Sequence, residues 1–387
     1  MNLKFDISKE YGLVLEGGGA KGAYQIGAWR ALKENGVKIK GVSGTSVGAL
    51  NGGMVCMEDV DHAYEIWENI SYSKIMDVDD QMMNELFSGD LKKINFIEIL
   101  KNGFKVLGDR GFDVSPLREL IARATDEEKI RNSPMEFYVT TFSITDRKPL
   151  DVDVKALPEG QISEMLLASA YFPAFKTEKI HGKVYTDGGV TDRVPTDCLI
   201  KRGYKDIIVL RINGFGVEKP IKIPEDVKVI NISPEVNLGG VLEFDAKKSK
   251  RNLKLGYYDA IRTLYGLEGV RYYLDWDYDE ETCYKKMRIL LEGAYQKEKG
   301  EWPSLRNLHE AVFPEAARKM CRVKDWTYKS LYIHVIEHAA NQLKIPEFSI
   351  YTGEQIEALI KKRLEALRAK GKPLEKYLAL FDSPKES

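Results

Sequence analysis

YGLVLEGGGAKGAYQIGAWRAL, residues 11–32, and GVSGTSVGALNGG, residues 41–53, repeat one pattern. Each is an apolar run, a glycine turn and a segment with helical spacing. Tyr11–Glu16 reads as a short buried strand ending at the glycines. Lys21–Asn35 has helical periodicity, with Tyr24, Ile26, Ala28, Ala31 and Leu32 on one face and Gly36 as a stop. Lys38–Ser43 is a second strand. Strand, turn, helix, repeated, is the pattern of an α/β domain built on a parallel sheet.

The same order continues downstream. MEFYVTTFSIT (135–145), KVYTDGG (183–189), DIIVLRI (206–212) and VKVINI (227–232) read as strands, and SEMLLASAYFPAF as a helix ended by Pro173. Residues 60–131 look helical and loop-like, with FSGDLKKINF and GDRGFDVSP as irregular links. Beyond about Gly239 the strand signal fades into charged, aromatic, helix-spaced sequence. This places one domain at 9–268 and a mainly helical region at 269–387.

Composition excludes several functions. The 387 residues are 43% hydrophobic and 30% charged, with net charge −1, so no basic field points to nucleic acid. Cys56, Cys198, Cys283 and Cys321 are scattered and form no CxxC pair, which argues against zinc and disulfides and suits a reducing compartment. The charged opening MNLKFDISKEYG lacks the apolar core of a signal peptide, and no apolar run reaches the roughly 18 residues of a spanning helix. The expected location is cytoplasmic, with peripheral contact to the inner face of a membrane as an extension of that reading.

Ser46 lies in Gly44-Thr45-Ser46-Val47-Gly48, a G-x-S-x-G pattern. There a serine sits on a sharp strand-to-helix turn that lifts its hydroxyl toward substrate. Gly17, Gly19 and Gly22 also satisfy G-x-G-x-x-G, the dinucleotide fingerprint. The acidic residue needed about 20 positions later is missing at the end of the second strand, and Lys21 is followed by Gly22-Ala23 rather than by Ser or Thr. Both phosphate readings lack their confirming residue. An oxyanion hole needs only converging backbone N–H groups at a helix start, which Gly17, Gly18 and Gly19 can offer.

Asp187-Gly188-Gly189 follows a strand, and its aspartate is a candidate base for the serine; Asp192 and Asp197 are rivals nearby. His62, His181, His309, His334 and His338 include none on a loop after a clear core strand, where a triad histidine is expected. A histidine-assisted serine stays open on these grounds.

GGGAKG, then GTSVG, then DGG, with LLASAYFPAF (166–175) between the last two, resembles the patatin-like phospholipases over roughly residues 11–260. The resemblance implies a three-layer α/β/α fold with a mostly parallel central sheet. It also implies a Ser–Asp dyad without histidine, metal or cofactor, acting on lipid esters of the phospholipid or lysophospholipid class. Carried over, Ser46 is the nucleophile, Asp187 its partner, and Gly17, Gly18 and Gly19 frame the oxyanion hole. Lys21, Gly22, Gly44, Gly48 and Gly188 support them. The rival readings are a nucleotide-binding α/β protein using Gly17–Gly22 and a non-catalytic lipid-binding protein of the same fold.

In the tail, EQIEALIKKRLEALRAK carries an apolar stripe of Ile356, Ile360, Leu364 and Leu367 beside Lys361, Lys362 and Arg368. Packing of that stripe on a core is the favoured expectation, and a helix lying on an anionic membrane the alternative.

Overall fold

The computed structural model describes residues 2–88, 112–173, 175–321 and 325–370. The link FSGDLKKINF and the first part of GDRGFDVSP therefore fall largely outside the described residues. The chain forms two compact units, residues 4–264 and residues 265–387 together with 1–3. The division falls between Leu264 and Tyr265, near the expected boundary at 268.

In the larger unit, β1 (Glu10–Leu15), β2 (Lys38–Thr45), β3 (Glu136–Ser143), β4 (Lys148–Asp153), β5 (Tyr185–Asp187), β6 (Asp206–Leu210) and β7 (Lys228–Ile232) share one sheet. Its order is β4-β3-β2-β1-β6-β7, with β5 also on β3. The pairings β3/β2, β2/β1, β1/β6 and β6/β7 are parallel, whereas β4 and β5 run antiparallel to β3. Central parallel strands are covered on both faces and so read as continuous apolar runs. This holds for β1, in which Leu13, Val14 and Leu15 are fully buried.

Side chains alternate across the sheet. Tyr138 joins Val14, Val209 and the short helix Thr196–Ile200 in one cluster. Phe137 points the other way, toward α2 (Val47–Cys56), where a side chain at Gly52 would strike its ring. Helices thus layer both faces, as the sequence implied. α1 (Ala23–Glu34) buries Tyr24, Ile26, Ala28, Ala31 and Leu32, preceded by a 3-10 turn over Gly19–Gly22.

One sequence expectation is corrected, and three strands were not foreseen. The helix expected to run to Pro173 is Ile162–Ser169 and is capped at Ala170. The residue before a proline disfavours helical geometry, and the segment after Ser169 turns away to line the site described below. β4 was not foreseen: KPLDVD is a polar edge strand with no fully buried residue. The smaller unit is not strand-free, because β8 (Tyr273–Asp275) and β9 (Ile350–Thr352) pair in parallel.

The smaller unit has its own core of helices Glu280–Lys299, Tyr328–Gln342 and Gly353–Ala369. Ile356, Ile360 and Leu364 are at most 2% exposed within that core. The tail stripe is therefore spent on packing, and the membrane-surface alternative for this helix is set aside. Glu337, also buried, accepts the N–H groups of Val270, Arg271 and Tyr272, each at 2.8 Å.

Candidate active site

β3 positions the site. Thr45, the last residue of β2, pairs with Thr140, and Asp187, the last residue of β5, pairs with Thr141. β4 occupies the other edge of β3 along its length, so β5 lies beyond the end of β2 on the same edge. Two strand ends meet there head to head. Ser46 leaves one and Asp187 ends the other.

Ser46 has φ 56° and ψ −124°, a conformation that costs a non-glycine residue roughly 1–3 kcal/mol. Its surroundings enforce that geometry. The Ser46 N–H donates to Ser169 Oγ at 2.9 Å, and the Ser169 hydroxyl donates to the Thr140 carbonyl at 2.7 Å. Thr45 Oγ1 donates to the Asp192 carbonyl at 2.9 Å, and Ser43 Oγ to that of Pro195 at 3.0 Å. The two motif glycines are required by close approach: a Cβ on Gly44 would lie 2.3 Å from the Gly48 oxygen, and one on Gly48 2.1 Å from the Leu15 oxygen.

Asp187 is partly exposed to the site. Its N–H donates to the Tyr171 carbonyl at 2.9 Å, and its Oδ1 accepts the Gly189 N–H at 2.8 Å. Burial pushes its carboxyl up from 3.8 to about 6, against hydrogen bonds from the Ser46 side chain and the Gly189 N–H that hold it down. Gly188 lies against the Thr140 carbonyl. The rival carboxylates face elsewhere. Asp192 is buried, accepts the Val194 N–H and is also pushed up to about 6 by burial, and Asp197 pairs with Lys201 and Lys219. Neither lines the site cavity.

The glycine turn divides into two parts. The Gly17 N–H donates to the Arg193 carbonyl at 2.8 Å and so is not available to a substrate, which corrects its expected place among the oxyanion donors. Gly18 and Gly19 line the cavity, and among the described residues no acceptor meets their N–H groups. Gly19 has φ +55°, and a Cβ there would lie 2.2 Å from the Val241 oxygen. Both N–H groups precede α1, the polarity that favours negative charge. The Gly22 carbonyl accepts Asn51 Nδ2 at 2.9 Å, which ties the turn to α2, and Gln25 and Trp67 complete that network. Lys21 is half-buried; its Nζ donates to the Asn213 carbonyl at 2.6 Å, and burial draws its ammonium below the usual range despite Glu16 nearby.

Ser46 and Asp187 open on a cavity of about 590 Å³, within the range of roughly 300–1,000 Å³ usual for small-molecule sites. Its walls are apolar and include Met54, Ile66, Met76, Leu117, Ile121 and Phe175. Such walls suit an apolar chain, and the polar lining is confined to the end that holds Ser46, Asp187, Arg193 and the glycine turn, with Asn51 and Thr125. None of the five histidines lines it. Sequence reasoning missed Ser169, Glu16 and Arg193. Ser169 stood within the quoted LLASA block, but its role depends on a contact 123 positions away.

Residues 13–200 match the family model of the patatin-like phospholipases. The probable lipid hydrolase 463L of Invertebrate iridescent virus 6 is 29% identical over 193 residues, which is 49% of this chain and 63% of that protein. Lysophospholipase NTE1 of Mycosarcoma maydis is 25% identical over 54% of this chain and 10% of its own length. Patatin-like phospholipase domain-containing protein 7 of Rattus norvegicus is 26% identical over 52% of this chain and 13% of its own. The chain thus matches less than two thirds of each of these relatives. The crystal structure of VipD from Legionella pneumophila aligns over 96% of this chain and 90% of that one, with a TM-score of 0.40 and 14% identity.

Proposed function

For a chain whose residues 13–200 match the family model of the patatin-like phospholipases, we propose a serine acyl hydrolase that cleaves carboxylic esters of lipids, of the phospholipase A or lysophospholipase type. One observation carries the reading. Ser46 and Asp187 open together on an apolar cavity that is also lined by Gly18 and Gly19, whose N–H groups meet no acceptor among the described residues.

The chemistry follows from the residues. Ser46 Oγ attacks the ester carbonyl carbon while Asp187 accepts the hydroxyl proton. A carboxyl near 6 is a better base at neutral pH than one at 3.8 and is still ionised there. The Gly18 and Gly19 N–H groups stabilise the oxygen as it gains charge, a contribution of about 2.7–4 kcal/mol per donor. Collapse expels the alcohol, which takes the proton back from Asp187. Water, deprotonated by Asp187, then releases the fatty acid. No cofactor or metal is called for. Each methylene buried in the cavity contributes about 0.8 kcal/mol, which favours acyl chains over short acids.

Val190, Phe215 and Val217 line the cavity and are each at least 42% exposed. An apolar rim of this kind supports peripheral contact with a lipid surface. Among the described residues no helix is long and apolar enough to cross a membrane. All four cysteines are free, which supports a cytoplasmic location.

The test is hydrolysis of p-nitrophenyl esters of increasing chain length, with EDTA present, beside Ser46→Ala, Asp187→Asn and His309→Ala. Loss in the first two alone supports the dyad. Failure of wild type both to turn over and to be labelled by a fluorophosphonate overturns the proposal.

A further inference from the structure

Three successive residues, Gly17, Gly18 and Gly19, have more backbone freedom than any other tripeptide and cannot aim two N–H groups unaided. The residue before them is a fully buried glutamate. Glu16 accepts three consecutive backbone N–H groups, those of Ile212 at 2.6 Å, Asn213 at 3.2 Å and Gly214 at 3.0 Å. Its charge is met by Arg193 at 2.6 Å and Arg211 at 3.2 Å, and both arginines also reach Glu218, at 2.6 and 2.7 Å.

Arg193 joins the pieces. Its carbonyl accepts the Gly17 N–H, its own N–H donates to the Val217 carbonyl at 2.8 Å, and its guanidinium donates to the Gly214 carbonyl at 2.6 Å. Lys21 holds the carbonyl between, at Asn213. The segment is pressed so close that a Cβ on Gly214 would lie 1.8 Å from the Gly17 oxygen.

We infer that Glu16 and Arg193 are positioning residues for the oxyanion hole, clamping Ile212–Gly214 against Gly17 so that the Gly18 and Gly19 N–H groups stay open to the cavity. The two carboxylates and two guanidiniums cancel in formal charge, Lys21 adds one positive charge at the Asn213 carbonyl, and the clamp's contribution is the placing of the two N–H groups. The inference rests on the proposed hydrolase reading.

The experiment compares two ligands of the full chain. An alkyl trifluoromethyl ketone forms a tetrahedral adduct on Ser46 and uses the oxyanion donors, whereas octane, which has no acceptor for them, fills only the cavity. In Glu16→Gln and Arg193→Lys, inhibition by the ketone should weaken by about 10- to 100-fold, the loss expected for misplaced catalytic groups, with kcat falling in step. Octane affinity and KM should stay within about twofold, because uniform binding is untouched. Glu218→Gln, at the exposed end of the network, should show a smaller loss of the same selectivity, and it decides the matter if the buried variants do not fold. Equal weakening of ketone and octane, or no weakening in folded variants, overturns the inference. A wild type that neither turns over nor binds the ketone overturns the hydrolase reading first and this inference with it.

Discussion

Glu16 and Asp187 are two carboxylates close to one serine turn, and they are satisfied to very different degrees. Glu16 receives three N–H groups and two guanidiniums. Asp187 receives one N–H group and the Ser46 side chain, and burial pushes it up to about 6. A carboxylate with every lone pair engaged is a fixed strut. One left short of donors keeps its basicity and has room for a proton. Glu16 is fixed by five donors, whereas burial with few donors is what raises Asp187.

The contrast is broken most directly through activity. Ser46→Ala and Asp187→Asn should each lower kcat/KM for a medium-chain ester by about 10⁴-fold or more, as for other nucleophile–base units. A residual rate near wild type in Asp187→Asn would move the base role elsewhere.

Stability should then separate the two carboxylates by sign. Glu16→Gln leaves two guanidiniums without their buried counter-charge and should destabilise the fold by about 3–5 kcal/mol in denaturant melts. Asp187→Asn should stabilise it at pH 8. The folded value of Asp187 is raised above that of the unfolded chain, so between about 4 and 6 the folded state keeps a proton that the unfolded chain has released. Wild-type stability from this group is therefore full below that window and is lost as pH rises through it. Because the side chain is partly exposed, the gain at pH 8 should be about 1–2 kcal/mol and should vanish near pH 3. Equal melting of the two proteins at pH 8 would mean that Asp187 is not under-satisfied.

The gentlest probe is the pH profile. The acid limb of kcat/KM should have its midpoint near 6, because only ionised Asp187 accepts the serine proton. A limb near 4 would place Asp187 with ordinary solvated carboxylates.

How much of this was legible in the sequence depends on distance along the chain. Ser46 and its glycines announce themselves because elbow, strand and helix are contiguous. Asp187 was legible as a strand-end turn, but its meeting with Ser46 depends on register along β3, which no local pattern encodes. β4 escaped because an edge strand reading KPLDVD buries too little to alternate visibly. Glu16 and Arg193 escaped because they meet across 177 positions, and Glu16 meets Ile212 across 196. Gly17 looked equivalent to its neighbours until the Arg193 carbonyl claimed its N–H. The tail stripe has the same pattern whether it faces lipid or a core, and only the packing of Ile356, Ile360 and Leu364 distinguishes the two.

The head-to-head arrangement of β2 and β5 along β3 separates two things that enzymes often entangle. Ser46 and Asp187 are held in register by the adjacent residues Thr140 and Thr141, while Met54, Ile66, Met76, Leu117, Ile121 and Phe175 all fall between Ser46 and Asp187 in sequence. Length changes in the segments carrying those walls leave the ruler untouched. Insertion or deletion there can retune the shape of the cavity, with Ser46 and Asp187 held at constant spacing.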